Sequence, residues 1–429
     1  MMRSHYASEI TPEMEGKEVA IAGWLHEIRD IGKIVFLQVR DKTGITQVVA
    51  KNGECTEEVM KSCVLPKDSV VLIKGKVKKS EAAKRGFEIA LSSIENLNPL
   101  REQMPFDVTG MVPAEIDTRL NFRYVDLRRV PTTAIFNIES TILNTFRNTL
   151  VKSEFQEIRT PCIVGEATEG GAEIFPVVYF EKEAFLAQSP QLYKQLAVIG
   201  GLDKVFMVTP VFRAEKSNTV YHLTEITQMD IEMGFADHDD AISVLKKVVA
   251  TVTKEVDKKN AADLEKLGVG KVEAKPVVIS YKSALKKLDA NGIHMEFGED
   301  FNRESEAMLG KIFGDVLIVK EYPTMVRAFY SMPNSKDPEV CNSFDLLYKG
   351  MEICSGAQRI HKPELLVEAL EKRGMNPSNF ESYINAFKLA APPHAGWSIG
   401  LERFAMKLCN AQNIRECSLF PRDRNRITP

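Results

Sequence analysis

His222–Phe235 reads HLTEITQMDIEMGF, and from Glu225 onward charged and polar residues interleave with Ile226, Met229, Ile231 and Met233. That is the alternation of an antiparallel strand with one apolar and one polar face. Glu225, Thr227, Asp230 and Glu232 are the polar positions expected to form the functional face. Just upstream lies a second strand-like run, Phe206–Glu215, FMVTPVFRAE, and further runs follow at Val316–Lys320, Val326–Met332 and Ser343–Tyr348. Strands and helices in succession without regular βαβ alternation favour an α+β architecture, an antiparallel sheet flanked by helices, over a doubly wound parallel sheet. Neither a P-loop nor a G-x-G-x-x-G stands in the sequence to oppose that reading.

Two later segments concentrate polar chemistry. Met351–His361, MEICSGAQRIH, places Glu352, Ser355, Gln358 and Arg359 close together, with Gly356 expected to let the backbone approach a bound group. Gly396–Phe404, GWSIGLERF, ends a run of small residues with Glu402 and Arg403, where a helical pattern of Leu401, Phe404, Ala405 and Leu408 begins. Backbone N–H groups and a guanidinium at such a point can face an anion. Taken singly, either segment also fits a buried structural Arg–Glu pair.

A chain of 429 residues is long enough for two or three domains. Its 44% hydrophobic and 27% charged residues describe an ordinary globular protein, and a formal charge of −3 excludes bulk electrostatic coating of nucleic acid. A nucleic-acid role would have to use local patches. The seven cysteines form no CxxC pair and no zinc spacing, so reduced thiols are expected. With no apolar leader at MMRSHYASEI and no membrane-length apolar run, the expected setting is cytoplasmic, with no membrane partner.

Residues 18–94 carry five runs rich in Val, Ile and Phe: EVAIAGWLHEI, KIVFLQVRD, ITQVVA, SVVLIKGKV and GFEIALSSI. A helix-like piece, Glu57–Val64, lies between the third and fourth. This is the order of an OB-fold, a small five-stranded barrel that commonly binds single-stranded nucleic acid. Phe36 could stack a splayed base and Gln47 read its edge, with Arg29, Lys33 and Arg40 adding positive charge; a strand Phe can equally be core. The expected domains are 1–97 for the barrel, 98–132 for a Pro-containing linker and 133–429 for the larger domain, with an insertion at about 237–315. Arg119–Arg129, RLNFRYVDLRR, reads either as a hinge touching RNA phosphates or as a solvated charged face. From Ala134, Ile135, Ile138, Ile142, Phe146 and Leu150 recur at helical spacing.

Thr160–Val164, TPCIV, Val211–Glu215, VFRAE, and Gly400–Arg403, GLER, resemble motifs 1, 2 and 3 of the class II aminoacyl-tRNA synthetases. More narrowly, QSPQLYKQ at Gln188–Gln195, EICSGAQRIH and the closing LFPRDRNRITP resemble aspartyl-tRNA synthetases of the archaeal and eukaryotic type. The likeness runs over essentially the whole chain. It implies a homodimer built on motif 1, ATP and Mg²⁺, L-aspartate, and tRNA(Asp) as acceptor.

Activating an amino acid on ATP is mostly positioning and charge neutralisation, so arginines and a hard cation are expected. By resemblance, Arg213 would contact the α-phosphate and the amino acid carboxylate, and Glu215 the adenine amino group. Arg403 would lie on the adenine face and reach the γ-phosphate; Arg213 and Arg403 are thus the expected catalytic pair. Tyr221, His222, Leu223, Glu352, Gly400, Leu401 and Glu402 complete the expected ATP site, with Glu352 and Ser355 as metal ligands. Lys194 and Arg359 would take the aspartate side-chain carboxylate and Asp230 and Glu169 the α-ammonium, with Ser189, Gln191 and Ser355 completing the pocket. In the barrel, Phe36, Gln47 and Glu88 fall where the family holds its anticodon bases.

Several positions depart from the family pattern. Motif 2 commonly reads Arg-His-Leu where this chain has Tyr221, His222 and Leu223, so an expected γ-phosphate arginine is missing. Ile226 stands where some members place a stacking aromatic, and Trp397 and Ser398 replace glycines, an indole that could crowd or line the pocket. His26 resembles members that charge both tRNA(Asp) and tRNA(Asn), whereas Lys84 resembles strict ones; the reading favours a relaxed enzyme. The rival from another class is a non-catalytic RNA-binding relative.

Overall fold

In a computed structural model the described residues are all of the chain except Met1, 166–172, Ser217 and 272–274. Two compact units divide after Ala114.

In the first, β1 (Glu18–Asp30), β2 (Ile34–Arg40), β3 (Ile45–Lys51), β4 (Val70–Lys79) and β5 (Phe87–Asn98) close into a barrel in the order β1-β2-β3-β5-β4. Alternation explains the closure: Val35, Leu37 and Val39 turn inward with Val48, Ile73 and Ile89, while Phe36 and Gln38 stay on the outer face. The helix Glu57–Ser62, capped by Thr56, sits between β3 and β4 as the spacing implied. Arg40 is not surface charge: it is buried against Asp68, 3.3 Å away.

The second unit is built on β6 (Gln156–Glu157), β10 (Lys204–Phe212), β11 (Glu225–Gly234), β12 (Val277–Ser280), β13 (Val316–Lys320), β14 (Ser343–Tyr348), β15 (Glu352–Gln358) and β16 (His394–Gly400). They form an eight-stranded sheet in the order β12-β13-β14-β15-β16-β11-β10-β6. β7 (Ile163–Val164), β8 (Pro176–Tyr179) and β9 (Lys182–Leu186) make a separate three-stranded sheet. The six central strands pair antiparallel, and the two parallel pairings lie at the ends.

Two long helices cover one face of the large sheet. Val130–Val151, entered through Pro131, buries Ile135, Ile138, Ile142, Phe146 and Leu150. Each such side chain stabilises by about 1.5–3 kcal/mol. The stripe is therefore consumed by the unit's own core. His238–Lys259 starts at Asp237, which accepts from the N–H groups of Asp239 and Asp240 while Asp240 returns a bond to Asp237 N, a reciprocal cap. This helix adds Ile242, Leu245, Val248, Val249, Val252 and Val256 to the same core, and β12 edges the sheet, so 237–315 is largely framework and not an insertion upon it.

Three further expectations are corrected. The stretch expected as linker to 132 is helical from Ile116, within the second unit. Its arginines neither face solvent nor await phosphate: Arg119, Arg123 and Arg129 converge on Asp126, and fully buried Arg123 also donates to the carbonyls of Glu416, Ser418 and Leu419. Val326–Met332 forms no strand; a 3-10 turn at Thr324–Val326 leads into a loop tied to the sheet by an isolated bridge between Ser331 and Arg359.

Candidate active site and candidate nucleic-acid face

The other face of the large sheet opens a cavity of ≈ 360 Å³ walled by β11, β15, β16 and the Val326–Ser331 loop. Strand parity selects its lining. On β11, Ile226, Gln228 and Asp230 face the cavity, whereas Met229, Ile231 and Met233 join the core. The polar set read from the sequence straddles both faces, since Glu225 and Thr227 share the parity of Met229. Pairing of Ser355 with Ser398 and of Ala357 with Gly396 brings the β15 and β16 positions onto the cavity side. The Gly356 backbone lines the cavity between them, as expected, while a Cβ there would point the other way, 2.4 Å from the Phe344 ring and 2.7 Å from Trp397 Cβ, so core packing also requires the glycine.

At the inner end two cations meet two carboxylates. Lys194 Nζ is 2.7 Å from Asp230 Oδ1 and 3.6 Å from Glu232 Oε2, and it donates to the Trp397 carbonyl at 3.3 Å. Arg359 donates Nε and Nη2 to the two Glu232 oxygens at 3.0 and 3.2 Å. Burial alone would raise the Glu232 pKa, but Arg359 and Lys194 hold it below the usual carboxylate value. Gly396 makes room for this carboxylate, because a Cβ there would lie 2.3 Å from Glu232 Oε2. Asp230 Oδ2 accepts from Ser398 Oγ at 3.0 Å, and Ser189 Oγ accepts from Gln191 N. Gln191 donates to Gln195, whose amide meets His394 Nε2 at 2.9 Å; burial lowers the His394 pKa, so the neutral ring donates Nδ1–H to the Pro392 carbonyl. Glu169 lies outside the described residues.

Toward the mouth, Arg213, Glu215, Tyr221, His222, Leu223, Gly400, Glu402 and Arg403 line the cavity together. Arg213 and Arg403 make no ion pair among the described residues, which leaves two guanidiniums facing a concave wall. Burial and Glu173 raise the Glu215 pKa against the pull of Arg213 and Arg403. Glu402 accepts from Thr227 N with both oxygens at 3.0 Å, and burial pushes its pKa up to about 7; this carboxyl braces β11 against the helix Leu401–Leu408. Leu401 is buried and does not line the cavity.

Trp397 neither crowds nor lines it. Its ring is fully buried on the core face, where Nε1 donates to the Ala241 carbonyl at 3.1 Å and the indole meets Phe146 edge-on.

Between the two ends Glu352 and Ser355 line the cavity, and Asp345, which pairs with Ser355 across β14–β15, is buried behind them; all three are hard oxygen donors. Glu352 is pushed up to about 8 by burial and by Asp345. Arg327 donates to Asp345 Oδ2 at 2.8 Å and to Ser355 Oγ at 2.6 Å. No group of three or more His, Cys, Asp or Glu side chains among the described residues is arranged to hold a metal ion. Two carboxylates and a hydroxyl still suit Mg²⁺, which takes few protein ligands and completes its shell with water and phosphate oxygens. A carboxyl held protonated by desolvation and like charge is one that a divalent cation would stabilise in its ionised form.

Sequence reasoning missed Arg327, Asp345, Gln195 and His394. Asp345 had a visible signal, a lone charge inside SFDLLY; Arg327 had none, because it lies in a stretch without periodicity.

On the barrel, Phe36, Gln38, Gln47 and Glu88 share the outer face: Gln38 pairs with Gln47 across β2–β3, and Gln47 Nε2 donates to Glu88 at 3.3 Å. Arg29 pairs with Phe36 across β1–β2. His26 is the extra residue of a β-bulge between Leu25 and Glu27, half-buried, with Nδ1 lacking a hydrogen-bond partner. Burial first, then Arg40 and Lys67, lowers its pKa. Lys84 is exposed in the loop between β4 and β5.

Residues 115–424 match the family described as tRNA synthetases class II (D, K and N), and residues 19–97 match the OB-fold nucleic acid binding domain. The aspartate–tRNA(Asp/Asn) ligase of Methanocaldococcus jannaschii is 47% identical over 431 residues, covering 100% of this chain and 98% of its own. That of Methanothermobacter thermautotrophicus is 45% identical, with 100% and 99% covered. Among solved structures, asparaginyl-tRNA synthetase from Pyrococcus horikoshii with asparaginyl-adenylate superposes with a TM-score of 0.93 at 32% identity, covering all of both chains. Aspartyl tRNA synthetase from Entamoeba histolytica gives 0.89 at 33% identity, with 99% and 92% covered.

Proposed function

The chain belongs to the class II tRNA synthetases of the D, K and N group, and from that membership we propose that it is an aspartate–tRNA ligase, which joins L-aspartate to ATP and passes the aspartyl group to tRNA(Asp) and tRNA(Asn). The observation that carries this reading is the inner pocket. Arg359 has five N–H donors and Glu232 takes two, so the guanidinium keeps donors for a ligand while lining the cavity. Those donors match both oxygens of a carboxylate and leave an amide NH₂ opposed by N–H groups, which favours aspartate over asparagine. Lysine is disfavoured because both inner carboxylates are already engaged by cations.

Asp230, held between Lys194 and Ser398, would accept from the substrate ammonium. The aspartate α-carboxylate then attacks the α-phosphorus, the bond to the β-phosphate oxygen breaks, and pyrophosphate leaves. Arg213 and Arg403, both unpaired among the described residues, offset the charge that develops on the phosphates. Glu352 and Ser355, with Asp345, would hold Mg²⁺, whose contribution is further neutralisation of the triphosphate. The second half-reaction transfers the aspartyl group to the tRNA 3′ end, with the barrel's Phe36–Gln47–Glu88 face taking the anticodon.

The named relatives are tRNA(Asp/Asn) ligases, which supports the relaxed acceptor range, and His26 at the β1 bulge is the barrel residue whose resemblance agrees with it. A homodimer in the cytoplasm completes the reading, resting on the resemblance of Thr160–Val164 to motif 1; no helix among the described residues is long and apolar enough to cross a membrane. Light scattering that returns the monomer mass would remove the dimer.

Amino-acid-dependent ATP–pyrophosphate exchange tests the whole. Aspartate must support it far better than asparagine, and Arg359→Ala must abolish it. Exchange with asparagine exceeding that with aspartate would overturn the substrate assignment, and none with either would overturn the enzyme reading.

A further inference from the structure

Arg303 begins the helix Arg303–Phe313, which is capped by Asn302. Its guanidinium carbon lies 3.3 Å from the centroid of the Tyr221 ring, and Tyr221 is a wall of the cavity beside His222 and Arg403. Arg303 is exposed and makes no ion pair among the described residues. A cation over this half-buried ring is attracted to its face, which orients the guanidinium without consuming its donors. Stacking uses the face of the group and leaves the in-plane N–H groups free, the geometry in which arginine binds phosphate.

The surroundings carry the same sign. His222 is held below its usual pKa by burial first and then by Arg403 and Arg303, with Arg213 adding to them and Glu173 opposing, so three guanidiniums and one carboxylate act on the ring at this end of the cavity. Glu306, on the same helix as Arg303, is turned inward, accepting from Glu352 N at 3.3 Å. Arg213, Arg303 and Arg403 make no ion pair among the described residues, so cationic groups gather at the end of the cavity that Tyr221 and His222 line.

If the α-phosphate reacts beside the inner pocket, the rest of the triphosphate must extend away from it, and this cationic end offers a place. We propose that Arg303, held on the Tyr221 ring, binds the β- and γ-phosphates of ATP, the part that leaves as pyrophosphate. The proposal rests on the ATP-dependent reading above and assigns Arg303 a substrate-binding role. It also accounts for Tyr221: the ring is a platform that brings in an arginine from another element, where family members commonly carry the arginine at that position itself.

The test uses the full chain and two ligands. Calorimetry gives the Kd of ATP and of a non-hydrolysable aspartyl-sulfamoyl adenosine, which lacks the β- and γ-phosphates, and exchange gives the KM values for ATP, pyrophosphate and aspartate. Arg303→Ala should raise the ATP Kd and the ATP and pyrophosphate KM about tenfold, the loss of one charge-assisted contact, while the sulfamoyl ligand and the aspartate KM stay within about twofold. Tyr221→Leu should repeat this pattern, and the double variant R303A/Y221R should regain ATP affinity. Unchanged ATP binding in Arg303→Ala overturns the proposal. So does equal weakening of both ligands, which would mark a structural effect. Wild-type protein that binds ATP, loses affinity on Arg303→Ala, yet shows no aspartate-dependent exchange would leave the phosphate assignment standing and remove the aspartate reading; no ATP binding at all would overturn both.

Discussion

Arg359 and Glu232 face one another with two near-parallel bonds, Nε to Oε1 at 3.0 Å and Nη2 to Oε2 at 3.2 Å, both side chains buried. A pair this dry fixes the guanidinium plane before any ligand arrives, so ligand binding need not order it. Removing one partner leaves a buried charge unmatched. Glu232→Gln is therefore expected to lower unfolding free energy by about 3–5 kcal/mol. Urea denaturation measures it, and a variant as stable as wild type would show that the pair does not hold the pocket.

Glu352 makes stability depend on pH in an unusual direction. Its folded pKa stands at about 8, above the ordinary 4.5, because burial and Asp345 disfavour the charged form. Such a group adds stability while protonated; its contribution is complete below about 4.5 and lost as the pH rises through about 8. Glu306 and Glu402, each pushed to about 7, act in the same direction. The ligand-free protein should thus lose stability between mildly acidic and mildly alkaline pH, and Glu352→Gln should flatten part of that slope. Saturating Mg²⁺ and ATP should reduce it in wild type. Identical slopes for wild type and Glu352→Gln would refute the assignment.

Gly356 separates a packing role from a binding one. A methyl group there would press into Phe344 and Trp397 on the core side of β15. Gly356→Ala should cost about 1–3 kcal/mol by overpacking. Thermal denaturation should show the loss, while the aspartate and ATP KM of the protein that remains folded stay near wild type. A large KM change at unchanged stability would show that the glycine matters through its backbone beside the cavity and not through the core.

The contrast among these residues marks where sequence was legible. Gly-punctuated runs located all five barrel strands and the helix between the third and fourth, because alternation and turn chemistry are local. The cavity residues Arg213, Glu352, Arg359 and Arg403 were also found, as parts of compact motifs. What failed required knowing the far side of an element. Trp397 and Gly356 point into a core shared with Phe146 and Phe344, residues distant in the chain. Glu225 and Thr227 fell on the wrong face because the polar positions of β11 change parity between Thr227 and Asp230. The Arg119–Arg129 charges are internal because one carboxylate, Asp126, gathers three of them.

Phe36 projects from the barrel opposite Val35 and Leu37, which fill its core. An aromatic on this face is available for base stacking, worth about 1–3 kcal/mol per base, or roughly 5- to 150-fold in affinity. Phe36→Ala should raise the KM for tRNA within that range and leave aspartate-dependent pyrophosphate exchange unchanged, since exchange needs no tRNA in the proposed scheme. An equal loss in both assays would place Phe36 in folding and not in recognition.

His26 supplies the last test. Because it is the bulge residue of β1, its ring escapes the strict alternation of the strand, and its Nδ1 has no hydrogen-bond partner. Burial and the charges of Arg40 and Lys67 keep it below its usual pKa, which favours the neutral ring. A small uncharged ring at the bulge restricts a neighbouring base edge less than a bulky side chain does, which suits a relaxed choice between anticodons that differ at one base. Aspartylation of unmodified tRNA(Asp) and tRNA(Asn) transcripts, at matched concentration and fixed salt, should therefore proceed at comparable rates. His26→Trp, which fills the site, should depress charging of tRNA(Asn) at least about tenfold while sparing tRNA(Asp), a difference of about 1.4 kcal/mol. A wild-type preference for tRNA(Asp) of that size would make Lys84, and not His26, the residue that governs the choice.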